Sequence, residues 1–238
     1  MTRVRYGTHR IAGPVLLRLS DPVMLDAVRA LTLAAVPYRG PGLAAMERCY
    51  DKFEASRVAA VNGVDGPATA LAPDAGTIAA PRLLKPRRGS DSIGLRVLGN
   101  RRVAAGKRTP DYIVQEFLSG WEISVAVFRD RAGVPLRIFL PPGKPYSFLR
   151  KYLLRSRRAP LADEKLARRA CETSSRIARV FGIDWAARVD LMFDPASSRL
   201  CFLECDAAPL VGAGSAFAAS FAAAGVSREE QLRWLLIE

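Results

Sequence analysis

Two periodicities of hydrophobic residues alternate along the chain and predict its helices and strands. Apolar residues at intervals of three and four, as at Leu43, Met46 and Tyr50, indicate amphipathic helices with one buried face. Asp21 and Ser227 each precede such a segment and are typical N-cap residues. The predicted helices span residues 21–35, 43–61, 162–182 and 228–238.

Short apolar runs with alternating polar residues predict the strands. Residues 186–194 and 199–206 alternate in this way, and the four residues between them, 195–198, form a turn that closes a hairpin. Strands joined by short turns pair antiparallel, so the pattern predicts an α+β fold. The predicted strands span residues 15–19, 81–86, 95–98, 111–118, 122–129, 136–140, 186–194 and 199–206.

The composition indicates a folded protein with a basic surface. Half of the 238 residues are hydrophobic, which excludes a disordered chain and suits one large or two small domains. The net charge of +13 favours a polyanion as ligand, but no nucleic-acid-binding motif accompanies it, so nucleic-acid binding is the weaker interpretation. No apolar run approaches the roughly 20 residues of a membrane span, and four cysteines without CxxC spacing favour a cytoplasmic protein with reduced thiols.

The predicted C-terminal hairpin carries the most informative side chains. Arg188 and Asp190 are two residues apart on one strand, as are Glu204 and Asp206 on the other, so each pair lies on one face. If the strands pair about their turn, three carboxylates and one guanidinium converge. Such oxygen ligands favour Mg²⁺ beside a substrate phosphate. The alternative is an exposed polar face on which Arg188 pairs with the acids.

Two further segments could bind a nucleotide. Lys85 ends a predicted strand before the Gly/Ser-containing loop 87–94, which offers a cation and backbone N–H groups to phosphates. The segment 115–118, followed by Glu122, could contact a purine base and a ribose through strand-edge groups and a carboxylate. Taken alone, each segment fits an ordinary hairpin better than a nucleotide site.

Six segments taken together resemble the D-alanine–D-alanine ligases of the ATP-grasp superfamily, from about residue 36 to the C-terminus. The resemblance implies an ATP-grasp fold, in which two α+β subdomains clasp ATP. It places an N-terminal α/β remnant in residues 1–42, a small subdomain with the Gly/Ser loop in 43–118, and a C-terminal subdomain with the metal and catalytic residues in 119–238. The segments are VPYRGPGLAAMERCYDKFEASR (36–57), LLKPRRGSDSIGL (83–95), YIVQEFLSGWEISVAV (112–127), FLRKY (148–152), ARVDLMFD (187–194) and FLECDAAPLVGAGS (203–215).

The resemblance implies an ATP-dependent carboxylate–amine ligase that forms an amide through an acyl phosphate and releases ADP and phosphate. The expected cofactors are ATP and two Mg²⁺ ions, which Mn²⁺ can replace. The expected partners are small-molecule carboxylate and amine substrates, such as amino acids or peptides.

The resemblance also assigns residues to ATP. Lys52 and Lys85 correspond to lysines that neutralise the α- and β-phosphates, and Lys151 corresponds to one that contacts the γ-phosphate. Glu122 corresponds to the carboxylate that binds the ribose. Positions 115–118 correspond to the adenine site: Gln115 stands where the family has an acidic residue, and the backbones of Glu116 and Leu118 contact the base. The loop that closes over the phosphates contains Gly89, Ser90 and Ser92.

Further matches concern the metal ions and the reacting groups. Arg188 corresponds to the arginine that stabilises the oxyanion. Asp91 stands where the family commonly has a serine that orients an N-terminal glutamate and a tyrosine, and Tyr152 corresponds to that tyrosine. Ser215 corresponds to the serine near the carboxylate of the second substrate. The metal ligands implied by the resemblance are Asp190, Glu204 and Asp206.

Three departures from the family pattern shape the expectations. Asp206 replaces the usual asparagine, and Leu210 replaces a glycine, which is expected to crowd the second-substrate site. Residues 1–42 hold only part of the family's N-terminal domain, so a homodimer or a partner chain is expected to supply the missing half-site. The alternative is a catalytically impaired ATP-binding module that acts as a partner subunit.

Overall fold

The fold is described from a computed structural model, which covers residues 4–6, 9–11, 15–17, 23–89, 93–139 and 157–237. Within these ranges the helices are α1 Val23–Leu33, α2 Leu43–Tyr50, α3 Lys52–Val61, α4 Glu164–Phe181, α5 Ala216–Ala223 and α6 Arg228–Leu236, with 3-10 turns at Ala72–Thr77 and Ala105–Lys107. The strands are β1 Val4–Tyr6, β2 His9–Ile11, β3 Val15–Leu16, β4 Tyr38–Arg39, β5 Thr69–Leu71, β6 Arg82–Pro86, β7 Arg96–Gly99, β8 Tyr112–Glu116, β9 Trp121–Phe128, β10 Arg131–Ala132, β11 Leu136–Ile138, β12 Arg158–Pro160, β13 Ala186–Asp194 and β14 Arg199–Asp206. No helix in these ranges is long and apolar enough to cross a membrane.

A large antiparallel sheet forms the C-terminal half of the described chain. Its strand order is β12-β11-β9-β13-β14, with β10 paired to the end of β9. One face is apolar along its whole length, with Ile123, Val125 and Val127 alternating along β9. This face packs in one core with α4 and with the buried residues of α1, α2 and α3. Helices α2 and α3 therefore share their core with the large sheet.

The opposite face of the large sheet changes character along β9. Ala126 and Phe128 are apolar and pack under α5 and α6 in a second core, whereas Glu122 and Ser124 are polar. Because alternate residues of a strand share a face, the covered half and the polar half lie side by side. The polar half is the floor on which the candidate site is built.

The part of the chain between α3 and β9 forms a smaller antiparallel sheet with the strand order β5-β8-β6-β7. Ala70, Leu84 and Val114 turn to one side, into a small core with the 3-10 segment Ala72–Thr77. The register pairs Leu83 with Gln115, so Lys85 and Gln115 lie on the opposite side. The side of the small sheet that is not used for its core thus carries the predicted ATP-binding residues.

The predicted helix over 43–61 is wrong in one respect: the structure has two helices that meet at Asp51. The Asp51 backbone is extended, and its carboxylate accepts a hydrogen bond from the Glu54 N–H at 3.2 Å, which caps α3. The predicted helix over 162–182 is confirmed as α4, which ends at Gly182 in the left-handed conformation. Helix α5 was not among the predicted helices; it begins after Ser215, which caps it by accepting from the Ala218 N–H.

The domain boundaries at residues 42 and 118 stay predictions. The turn between the two sheets is nonetheless tightly packed at Gly120, where a Cβ atom would lie 2.1 Å from the Phe193 carbonyl oxygen. A glycine is required by that approach, and it fixes where β9 begins. The turn therefore sets the position of Glu122 relative to β13.

Candidate functional site

The register of the large sheet brings the four polar residues of the C-terminal hairpin together. Arg188 lies opposite Asp206, and Asp190 lies opposite Glu204, because a shift of register between Asp190 and Leu191 brings the two pairs of residues onto one face. The Arg188 guanidinium contacts all three carboxylates, at 2.9 Å for Asp190, 3.5 Å for Asp206 and 3.8 Å for Glu204. The convergence inferred from the hairpin is thus confirmed as a geometry, although the roles of these residues stay predictions.

Arg188 and Asp190 form the buried centre of this cluster. The Arg188 Nε donates to both Asp190 oxygens at 3.0 Å, and the Ser124 hydroxyl donates to Asp190 Oδ1 at 2.7 Å. Burial disfavours the charged guanidinium, but Asp190 and Asp206 outweigh it and hold the pKa of Arg188 well above its ordinary value. Arg188 is therefore a permanent, fixed cation on the sheet floor.

The carboxylates suit a hard divalent cation in their chemistry. Asp190, Glu204 and Asp206 offer oxygen atoms alone, the donor set that Mg²⁺ prefers. Within the described ranges, however, no three acidic, histidine or cysteine side chains are close enough to hold an ion as they stand, because the carboxylates turn toward Arg188. The contacts of Arg188 to Glu204 and Asp206 are longer than its contact to Asp190, and Asp206 Oδ1 also accepts from the Ala208 N–H at 2.9 Å.

A small cavity of about 50 Å³ lies beside Glu204 and holds two predicted phosphate ligands. Lys52 and Lys85 line it, together with Gly89 from the start of the predicted loop. The Lys52 ammonium donates to the Gly89 carbonyl. Burial, opposed by Glu204 and reinforced by Lys52, lowers the pKa of Lys85 to about 8. An anion in this cavity would remove the repulsion between the two lysines.

The base of the loop is held by a residue that the sequence analysis did not single out. The Arg87 Nε donates to both carboxylate oxygens of Asp51 at 2.8 Å, and Arg88 donates to one of them at 3.1 Å. The Lys52 N–H also donates to the Arg87 carbonyl at 3.0 Å. Asp51 therefore ties the start of α3 to the start of the loop and sets the separation of Lys52 from Lys85.

A second cavity, of about 40 Å³, lies on the other side of the Asp190–Glu204 pair. Arg188 and Asp190 form part of its floor, and Glu122 and Arg158 lie toward its far side. Ala216, at the start of α5, closes one wall. The two cavities are thus separated by the acidic residues, with lysines on one side and arginines on the other.

The predicted adenine-site residues lie at the end of β8. Gln115 is buried, and its amide donates to the Thr69 hydroxyl at 2.8 Å, which fixes the orientation of the side chain. The Glu116 carboxylate accepts from the Ala68 N–H at 3.1 Å and lies 3.6 Å from Arg199, so it is turned away from a ligand. Leu118 is half-buried in the turn that follows. The Glu116 backbone N–H donates to the Ala68 carbonyl at 2.9 Å, and the predicted backbone contacts of Glu116 and Leu118 with a base stay predictions.

The two predicted second-substrate residues differ in placement. Ser215 precedes Ala216 at the wall of the arginine-lined cavity, but its hydroxyl accepts from the Ala218 N–H at 3.1 Å as a helix cap. Leu210 is 56% exposed and does not line either cavity. The expected crowding of the second-substrate site by Leu210 stays a prediction. Four predicted residues, Ser90, Ser92, Lys151 and Tyr152, lie outside the described residues.

Three residues near the site were missed by reasoning from sequence. Asp51 carried a signal, since Asp followed three residues later by Glu is a helix-start pattern. Ser124 carried one too, because it lies two residues after Glu122 on the same strand face. Arg158 carried none: it lies in a run of basic residues, and only the pairing of β12 with β11 directs it to the cavity.

The chain is similar to a known family and to solved structures. A family model described as D-ala D-ala ligase C-terminus matches residues 69–237. The D-alanine–D-alanine ligase of Delftia acidovorans is 27% identical over 220 residues, which cover 84% of this chain and 67% of the relative. The corresponding ligase of Methylibium petroleiphilum is 28% identical over 227 residues, and the match covers 84% of this chain and 70% of that relative. This chain thus spans about two thirds of these relatives.

Two solved structures share the fold at low sequence identity. The D-alanine–D-alanine ligase of Bacillus anthracis complexed with ATP has a TM-score of 0.76 at 17% identity, covering 94% of this chain and 78% of that one. D-alanyl-alanine synthetase A of Vibrio cholerae has a TM-score of 0.80 at 16% identity, covering 99% and 80%. Both likenesses confirm the α+β ATP-grasp fold that the sequence predicted.

Proposed function

The chain belongs to the D-ala D-ala ligase C-terminus family, and we propose that it is an ATP-dependent carboxylate–amine ligase. The observation that carries the proposal is the cluster of Arg188 with Asp190, Glu204 and Asp206, which faces two lysines beside a glycine-containing loop. A ligase of this kind brings together three anions: a phosphate chain, a carboxylate and a developing oxyanion. Fixed cations on both sides of a carboxylate cluster suited to a metal ion can neutralise these three anions.

The lysine-lined cavity is the proposed phosphate site. Lys52 and Lys85 neutralise the phosphate chain of ATP, Gly89 leads into the loop that covers it, and Glu204 borders the cavity as a metal ligand. Glu122 binds the ribose, and the backbone near Glu116 contacts the base, as the resemblance implies. Mg²⁺ held by Asp190, Glu204 and Asp206 would screen the phosphate charge against the attacking carboxylate.

In the proposed reaction, the substrate carboxylate attacks the γ-phosphorus of ATP, which gives an acyl phosphate and ADP. The amine then attacks the acyl carbon, and the carbonyl oxygen gains negative charge. Arg188, fixed by Asp190 and Ser124, donates hydrogen bonds to that oxygen and needs no reorganisation at the moment of reaction. Collapse of the tetrahedral species expels phosphate and leaves an amide.

The direct test measures ADP and phosphate release with Mg·ATP across a panel of D- and L-amino acids and dipeptides. We expect substrate-dependent release of one ADP and one phosphate for each amide detected by mass spectrometry. ATP binding without turnover on any mixture would instead support the alternative, a module that binds ATP as a partner subunit. A homodimer or a partner chain that completes the site belongs to the same proposal, and size-exclusion measurements on the active mixture would identify it.

The pH dependence of ATP binding tests the phosphate site. Because the pKa of Lys85 in the free protein is about 8, Lys85 loses its charge above that pH, and its attraction for the phosphates falls. We expect the dissociation constant for Mg·ATP to rise about tenfold between pH 7 and pH 9.

Replacement by arginine provides the comparison for this pH effect. In Lys85→Arg the guanidinium stays charged across the range, so the dissociation constant should vary little with pH. Lys107→Arg, at a lysine that stacks on Tyr112 outside both cavities, should keep the wild-type pH profile. Equal pH dependence in all three proteins would show that Lys85 does not bind the phosphates.

A further inference from the structure

Arg158 is the residue that the proposed function leaves without a task. Arg158 and Arg188 both line the second cavity, of about 40 Å³, and the strand register explains why Arg158 reaches it. Arg158 lies opposite Ile138 on β11, and Ile138 lies opposite Glu122 on β9. Residues directly opposite each other in a sheet share a face, so the row Arg158, Ile138, Glu122 continues the floor of the site.

The guanidinium of Arg158 is anchored at a second point. It donates to the carbonyl oxygen of Gly214, the residue before Ser215, which starts α5. One bond to a backbone oxygen uses one of the five N–H donors of an arginine. The side chain is therefore held at the wall of the cavity with most of its donors available.

The charges of the two arginines are compensated differently. Arg188 is within 4.0 Å of three carboxylates. Among the residues that the structure describes, no carboxylate forms an ion pair with Arg158, and its one hydrogen bond goes to a neutral carbonyl. Arg158 is exposed, and Glu122 and Asp190 line the same cavity, so its attraction for an anion comes from its remaining N–H donors and not from burial.

The position of Arg158 argues against the ATP phosphates as that anion. The two lysines lie in the other cavity, beyond the Asp190–Glu204 pair. Arg158 lies two strands away from Glu122 on the opposite side of β9 from β13 and β14, a distance of about 10 Å across the sheet. The phosphate chain, which runs from Glu122 toward Lys85, leads away from it.

We propose that Arg158 is a specificity-determining residue that binds a side-chain carboxylate of the amine substrate. The substrate class is then a dicarboxylic amino acid, such as aspartate or glutamate. Its α-carboxylate lies near Ser215, and its second carboxylate accepts two parallel hydrogen bonds from the planar guanidinium of Arg158. This inference rests on the proposed ligase function, which supplies the second substrate, and deepens it by naming the class of amine.

The test compares acids with their isosteric amides. Rates of ADP release would be measured for D- and L-aspartate, asparagine, glutamate and glutamine as amines, in the wild type, Arg158→Gln and Arg157→Gln. Arg157 is the matched control, because it neighbours Arg158 in sequence but stacks on Phe139 and does not line the cavity. We expect kcat/KM to favour the acid by about tenfold to a hundredfold in the wild type and Arg157→Gln, the scale of one charge-assisted pair. In Arg158→Gln we expect no preference and an unchanged KM for ATP.

A binding measurement keeps this inference separate from the ligase activity. In the presence of Mg²⁺ and a non-hydrolysable ATP analogue, the same acids should raise the melting temperature of the wild type and Arg157→Gln, but not of Arg158→Gln. That pattern without turnover would support the inference while removing the proposed function. Turnover with equal use of acid and amide, an increased KM for ATP in Arg158→Gln, or no stabilisation of the wild type by any acid would overturn it.

Discussion

Arg188→Met is expected to lower ligase turnover by about a hundredfold to a thousandfold and to destabilise the protein at the same time. Removing one fixed donor to a developing oxyanion costs about 10²–10³ in rate. The same change leaves Asp190 buried with Ser124 as its remaining neutral hydrogen-bond donor. Breaking a buried ion pair from one side costs about 3–5 kcal/mol of stability, because the other charge stays in place without compensation. Urea unfolding and ADP release, measured on the same preparation, would record both losses.

Arg199→Met is the matched control for the stability effect. Arg199 lies on the same hairpin, but its side chain is 40% exposed, and its ion pair with Glu116 is long at 3.6 Å. Exposed pairs of this kind contribute about 0–1 kcal/mol, so this variant should remain close to the wild type in stability and turnover. If the two variants lost stability equally, the Arg188 cluster would not be the buried ion pair described here.

Elements that depend on local patterns could be predicted from the sequence. The hairpin of β13 and β14 follows from alternation and a short turn, and α4 follows from its periodicity and from Gly182. The face shared by Arg188 and Asp190, and the face shared by Glu204 and Asp206, followed from the period of two. These features need no knowledge of distant parts of the chain. That both pairs lie on one face follows from the shift of register between Asp190 and Leu191, which the alternation does not predict.

Features that depend on distant contacts could not be predicted in this way. The break between α2 and α3 exists because Asp51 pairs with Arg87, which is 36 residues away. Apart from Ser220, every residue of helix α5 is apolar, so the helix shows no helical period. Its place under the sheet follows from Phe217 and Phe221, which pack with Phe128 and Trp234. Arg158 reaches the site through the Gly214 carbonyl, 56 residues away. Tertiary packing decided each of these features.

Glu204→Gln is expected to remove the thermal stabilisation by Mg·ATP while leaving the fold intact. Glu204 is 45% exposed and its contact with Arg188 is long at 3.8 Å, but it also favours the charged form of Lys85, so the ligand-free melting temperature should fall by no more than about 4 °C. In the wild type, Mg·ATP at a hundred times its dissociation constant stabilises by about 2.7 kcal/mol. The variant lacks a carboxylate ligand for the ion and the charge beside Lys85, so it should show almost no such shift.

The controls for Glu204→Gln separate the metal from the phosphate contacts. Glu229→Gln, at an exposed position in the first turn of α6, should keep the full Mg·ATP-dependent shift. ATP with a chelator in place of Mg²⁺ should reduce the wild-type shift to that of Glu204→Gln, because both conditions remove the ion between the carboxylates and the phosphates. An undiminished shift in Glu204→Gln would mean that the ion lies elsewhere, and the acidic row between the two cavities would then act only as the counter-charge of Arg188.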